Sequence, residues 1–362
     1  MNNRSIHILL FLSILFSCSK EDIDEPSINN ENSDFISGVD ISGYPEVSSY
    51  DHKFYDLNGD QNDFLTILKN NGVNTIRLRL WVNPSNEHSG FNEVQRFSQV
   101  LKSKGFKIWI TPHYSDSWAH PGQQETPSQW QGLSFSELKD SVYEYTERII
   151  NEIQPEYIQI GNEVNTGMLF PHGEIINGNF EKFIELSNTV SSAVKTNSES
   201  AKVILHFAGI EGSDWFFNNI NNTIDYDIIG LSYYPIHHGK SINNLKARLK
   251  SLSETHNKKI VIAETAYPFT LEWRDLTNNI VGSKEQLILP EYPATQEGQR
   301  KFIKQIKNSI KDTENGIGFC YWGAELIAWK GSQSTDASPW ENQALFNFDN
   351  KALPVLKEFK KE

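Results

Sequence analysis

The chain has 362 residues, 38% hydrophobic and 22% charged, which allows a large buried core and excludes wholesale disorder. Its net charge of −13 argues against nucleic acid as a partner, because a phosphate backbone demands a basic surface. The nine Trp exceed the needs of a core and leave aromatics over for a binding cleft.

The chain opens with MNNRSIHILLFLSILFSC. One Arg, a short apolar run and a small residue before Cys18 make an export signal, too short to span a bilayer comfortably. Its end resembles a bacterial lipobox, so residues 1–18 are expected to be a lipoprotein signal with lipidation at Cys18. Residues 19–34, SKEDIDEPSINNENSD, are polar, acidic and free of aromatics, and read as a flexible tether. An acidic run in this place resembles the surface-export signal of some outer-membrane lipoproteins. The expectation is a monomer on the cell surface, touching the membrane through the lipid anchor alone. Cys320 lies inside an apolar strand pattern, so no disulfide framework is expected.

From Phe35 onward, strand-like runs alternate with amphipathic stretches. The runs are FISGVDI (35–41), VNTIRLRLW (73–81), FKIWITPHY (106–114), EYIQIGNE (156–163), KVILHFAG (202–209), DIIGLSYY (227–234), KIVIAETAY (259–267) and IGFCYWG (317–323). Helical segments such as DFLTILKNNG and EVQRFSQVLKSKG end on a Gly suited to a C-cap. Alternation of this kind implies parallel strands joined by crossovers, and eight units close a barrel. No Gly-rich phosphate fingerprint follows the first strand, which disfavours an open doubly wound sheet. The fold class is therefore α/β, a (β/α)8 TIM barrel over residues 35–362, as one catalytic domain.

Polar and aromatic residues gather where the strands end: Asp40, Arg77 and Arg79, His113, Asn162 and Glu163, Tyr233, Glu264 and Trp322. Barrel strands present those ends at the face where active sites are built. Glu163 and Glu264 close the fourth and seventh strands, across the mouth from one another. Two carboxylates so placed can cleave a glycosidic bond, one as proton donor and one as nucleophile, when about 5–5.5 Å apart.

The segments GVDIS, NTIRLRLWVNP, HYSDSWAHPGQQETPSQW, QIGNEVNTGML, GLSYYP and AETAYP resemble, in the same order, the endo-β-1,4-galactanases of glycoside hydrolase family 53. The resemblance implies a retaining double displacement with Glu163 as acid/base and Glu264 as nucleophile. It implies that Asn162 holds the sugar 2-hydroxyl, that Arg77 steadies the nucleophile with help from Tyr233 or Tyr234, and that Trp322 floors that subsite. Asp40, His113, Asp116 and Trp118 join the candidate substrate-binding residues. Trp118 offers a flat face to a galactose ring, Trp81 is balanced between core and cleft, and Trp340 would line the cleft further out.

The chain departs from the family pattern in three places. His120 stands where an Asp is common and Phe170 where a Trp is common, affecting distal contacts. Relatives often hold calcium after the seventh strand, but TLEWRDLTNNIVGSKEQ supplies only Asp275 and a few Asn. Calcium takes 6–8 oxygens, so calcium is possible but not favoured, and no cofactor or metal is expected. The alternatives are a same-clan enzyme cutting β-1,4-mannan or glucan, and a surface glycan-binding lipoprotein without catalysis. The second would be expected to have lost a carboxylate.

Overall fold

Period-two alternation positions the site. In the second strand Ile76, Leu78 and Leu80 join the large core between barrel and helices, which sets Thr75, Arg77 and Arg79 on the inner face. The computed structural model describes residues 35–361, so the expectations for the export signal, Cys18 and the tether lie outside the described residues.

Eight parallel strands close the barrel: β1 Ile36–Asp40, β2 Thr75–Leu80, β3 Lys107–Pro112, β4 Tyr157–Ile160, β5 Lys202–Ala208, β6 Ile228–Ser232, β7 Lys259–Thr265 and β8 Gly316–Trp322. Closure is made by β1, which pairs with β2 through Asp40 and Arg77 and with β8 through Asp40 and Trp322. All eight expected runs are therefore strands. The connecting helices are α1 Phe64–Asn70, α2 Phe91–Ser103, α3 Phe135–Ile153, α4 Glu181–Asn197, α5 Ser213–Asn219, α6 Ile242–His256 and α7 Gln296–Lys311, and the 3-10 segment Pro354–Phe359 follows β8.

The helices begin where local chemistry satisfies their first N–H groups. Ser134 and Glu137 form a reciprocal capping box on α3, and Asp63, Ser241 and Thr295 cap α1, α6 and α7. Gly72 and Gly105 follow α1 and α2 with φ of +94° and +79°, as their place in the sequence leads one to expect. At Gly72 a Cβ would sit 2.6 Å from the Phe359 carbonyl oxygen, so the close approach of the C-terminal segment needs glycine there.

Two apolar regions result. The larger lies between barrel and helices, while Ile36, Trp109, Tyr157, Ile204, Ile228, Val261, Ala263 and Cys320 fill the barrel interior. This plug carries the free, buried Cys320. Two residues further along the same faces the plug gives way to Gln159, His206 and Trp322, a polar and aromatic layer open to the mouth.

Candidate active site

Arg77 is the centre of that layer. Nη1 contacts Asp40 Oδ2 at 2.6 Å, and Nη2 contacts Glu264 Oε1 at 2.7 Å and Asn162 Oδ1 at 2.8 Å. Nε donates to Gln159 Oε1 at 2.9 Å. The guanidinium is buried, and its charge is balanced by two carboxylates.

Glu264 reaches this position through a bulge. Val261 and Ala263 face the barrel plug, so strict alternation would turn Glu264 outward. The registers of β7 shift against β6 and β8 around Ile262–Thr265, and the irregularity re-aims the side chain to the mouth. Tyr234 donates its phenol to Glu264 Oε2 at 3.0 Å. Glu163 stands just beyond β4 at φ +48°, a left-handed conformation uncommon outside glycine. Its Oε1 accepts from Ser232 Oγ at 2.6 Å. One oxygen of Glu163 and one of Glu264 lie within 4.8 Å of each other, and a His206 nitrogen lies within the same distance of both.

Burial raises both carboxyls above the usual range. At Glu264, Arg77 and the phenol oppose the rise while Glu163 and Asp40 add to it; at Glu163, Ser232 and Arg77 oppose it. Two carboxyls this close cannot both ionise easily, so the pair keeps one proton near neutral pH. Glu264 has an ion pair at 2.7 Å and a phenol donor, whereas Glu163 has one hydroxyl. The shared proton therefore rests better on Glu163.

His113 accepts at Nδ1 from the Ala119 N–H at 3.0 Å and from Trp81 Nε1 at 3.3 Å. Burial, with Arg79 and Arg77 nearby, holds its pKa well below the usual range, so it is neutral. Aromatic rings wall the cleft: Trp322 lies 4.7 Å from Trp340 and 6.1 Å from Trp118, and Trp340 lies 5.6 Å from Tyr234. Together with both glutamates, Asp40, Arg77, His113 and Asn162 they line a cavity of about 620 Å³.

Three candidates from the sequence are placed elsewhere. Tyr233 turns outward with Ile229 and Leu231, and its phenol donates to the Gly239 carbonyl, so of the two tyrosines it is Tyr234 that meets Glu264. Asp116 is occupied by loop contacts, accepting from the N–H groups of Asn83 and Ser128 and from the Ser128 hydroxyl. Trp81 stands behind Trp118, edge-on at 5.6 Å, with Arg79 stacked against both indoles. Gln159, His206 and Ser232, which are not among the candidates drawn from the sequence, connect Arg77 to Glu163. A signal existed: each is a polar residue at an inward position of an otherwise apolar strand.

A second polar cluster lies in the loops after β7 and β8. Asp275 Oδ2, Asn279 Oδ1, Glu341 Oε2 and Asn342 Oδ1 are buried without a protein partner. Burial raises the Glu341 carboxyl, and Asp275 adds to the rise. Oxygen donors left unpaired in this way fit a hard cation such as calcium. The Asp275 loop alone is poor in donors, and the final loop adds Glu341 and Asn342.

A parallel barrel with two carboxylates facing each other at the C-terminal ends of β4 and β7 defines the class: a barrel glycosidase. Residues 36–359 match the model of glycosyl hydrolase family 53, and the chain belongs to that family. It is 31% identical to an endo-beta-1,4-galactanase of Bacillus subtilis over 94% of this chain and 88% of the relative. It is also 31% identical to an arabinogalactan endo-beta-1,4-galactanase of Cellvibrio japonicus over 91% of this chain and 92% of the relative. The solved family 53 catalytic domain of Ignisphaera aggregans superposes with a TM-score of 0.84 at 37% identity, covering 90% of this chain and 96% of that one. The protein is a glycoside hydrolase.

Proposed function

We propose that the protein is an endo-acting hydrolase of β-1,4-linked galactan, the polymer of pectic (arabino)galactan side chains, working by retaining double displacement. The observation that carries the mechanism is the pair of facing carboxylate oxygens within 4.8 Å. That approach suits direct attack on the sugar and is shorter than the gap of about 6.5–9.5 Å across which an inverting pair holds its water. The substrate rests on the family and on the names of the relatives.

In the first step Glu264 attacks the anomeric carbon, the glycosidic C–O bond breaks, and Glu163 gives its proton to the departing oxygen. In the second, Glu163 takes a proton from water, the hydroxide oxygen bonds to the anomeric carbon, and Glu264 leaves as a carboxylate. Arg77 and Tyr234 keep Glu264 ionised and oriented. Trp322, with Trp118 and Trp340, offers apolar faces to sugar rings, and Asn162 holds the 2-hydroxyl.

Digestion of pectic galactan, mannan and cellulose side by side tests the substrate. Release of reducing ends from galactan alone is expected, with β-configured first products by NMR; release from mannan or cellulose, or α-configured products, would overturn the reading. A Glu264→Gln variant should release none, which separates the enzyme from a binding protein.

Two further readings belong here. Asp275, Asn279, Glu341 and Asn342 would hold a structural calcium ion. Export with lipidation at Cys18, and display on the outer membrane, rest on the N-terminal sequence. Mass spectrometry should find a diacylglycerol-sized addition that Cys18→Ala lacks.

A further inference from the structure

Three buried polar side chains connect Glu163 to Arg77, and the guanidinium at one end sets a direction for their donors and acceptors. A guanidinium carries N–H donors alone. Gln159 must therefore present its oxygen to Arg77 Nε, 2.9 Å away. Its amide nitrogen is thereby turned the other way, 3.1 Å from the Gly161 carbonyl and 3.1 Å from His206 Nδ1. An N–H aimed at Nδ1 selects the tautomer with a bare Nδ1 and a hydrogen on Nε2. Asn162 Oδ1 lies 3.2 Å from the same nitrogen and accepts from Arg77 Nη2 at 2.8 Å; a hydrogen on Nδ1 would use its second lone pair and reverse the relay. Nε2 stands 2.9 Å from Ser232 Oγ, which stands 2.6 Å from Glu163 Oε1. The imidazole N–H fills one lone pair of the hydroxyl, and the hydroxyl proton is left with Glu163 Oε1 as its acceptor.

We propose that Gln159, His206 and Ser232 form a one-way hydrogen-bond relay that begins at Arg77 and confines the acidic proton of Glu163 to Oε2. This rests on the reading of Glu163 as acid/base. With Oε1 engaged by the hydroxyl, the proton sits on the oxygen left free to meet the glycosidic bond. After transfer, the Ser232 bond stabilises the new carboxylate, so the relay also eases proton release. The three are positioning residues, since each acts through Glu163.

The surroundings support a neutral imidazole. Burial holds His206 well below the usual histidine range, and Arg77, His113 and His238 reinforce the effect. The charged and titratable groups facing Glu163 are Arg77 from β2, His206 from β5, Glu264 from β7 and Tyr234 beyond β6, with Ser232 from β6 donating to it.

Nitrogen-15 spectra of histidine-labelled protein give the direct test. His206 should carry its hydrogen on Nε2 in the natural sequence and on Nδ1 in Gln159→Glu, whose second oxygen would accept from Nδ1. Hydrogen on Nδ1 in the natural sequence would overturn the relay. In Ser232→Ala, the alkaline limb of kcat/KM on galactan should rise by about one pH unit, because the lost bond had favoured the ionised acid. Its kcat should fall about tenfold with KM little changed, and Ser232→Thr should restore both. An unmoved limb in Ser232→Ala would also sink the proposal. Glu163→Ala separates the two readings. If it keeps full turnover of galactan, the acid/base assignment fails; if it loses turnover while the Ser232→Ala limb stays put, the relay alone fails.

Discussion

Arg77 binds Asp40 and Glu264 through separate nitrogens, so its removal would strand two buried carboxylates. Arg77→Leu should cost about 3–5 kcal/mol of stability, seen as a large fall in Tm, in addition to any loss of activity. Tyr234→Phe is a finer probe, deleting one donor to Glu264 Oε2 while keeping the ring against Trp340. A hydrogen bond to a charged group is worth about 1.5–3 kcal/mol, so kcat on galactan should fall roughly ten- to a hundredfold with the fold intact. The two glutamates should separate by leaving group. Glu163→Ala should keep measurable turnover of an aryl galactoside whose phenol leaves without a proton, and Glu264→Gln should turn over neither that compound nor polymer. Equal loss in both would reverse the assigned roles. Which tyrosine of the pair meets Glu264 was open to a stricter reading of the sequence: Ile228, Gly230, Ser232 and Tyr234 share one parity, and Tyr233 belongs to the other. The placement of Glu264 was not, because it depends on a bulge that breaks parity within β7.

At the scale of elements, the loops after β1, β7 and β8 lock together around buried acids. Glu325, just past β8, accepts the Gly43 N–H at 2.7 Å, and its other oxygen has no partner. Burial, with Asp40 adding, pushes its carboxyl up to about 8. A carboxyl raised in the folded state contributes stability that is complete below its unfolded pKa, near 4.5, and is lost as pH rises through about 8. Between pH 5 and 8 the protein should therefore lose Tm, while Glu325→Gln, which keeps the acceptor and removes the charge, should lose less. A parallel decline in both would show that the Glu325 carboxyl titrates alike in the folded and unfolded chain. The oxygen cluster of the β7 and β8 loops predicts a different dependence. Calcium should raise Tm by several degrees, a chelator should reverse the gain, and Glu341→Gln should abolish the response. These contacts join residues more than sixty positions apart, such as Arg274 and Glu341, so composition of one loop was a poor guide to its donors.

For the whole molecule, openings on both flanks of the carboxylates favour attack within a chain. A cavity of about 470 Å³ on the β1 and β8 side shares Trp118, Trp322 and Trp340 with the central one. Another of about 660 Å³ on the β5 and β6 side shares Ala208, His237 and His238. Early digests should contain oligosaccharides of several lengths, and galactose as the sole early product would argue for attack from chain ends. Trp340→Ala should raise KM on galactan about tenfold and leave a short aryl galactoside nearly unaffected, because a ring contact is worth about 0.5–1.5 kcal/mol only where a sugar reaches it.

Alternation of apolar strands and amphipathic helices and carboxylates at two strand ends were legible in the sequence, because both are local patterns along one segment. They determined the barrel, the class of chemistry and the two glutamates. The tertiary structure alone decided what each residue meets. It turned Tyr233 and Asp116 away from the cleft and put Trp81 behind Trp118. It also gathered Gln159, His206 and Ser232 from three strands into contact beneath Glu163. Side-chain partners across a closed barrel depend on register and bulges, and one residue of shift exchanges the inner face for the outer.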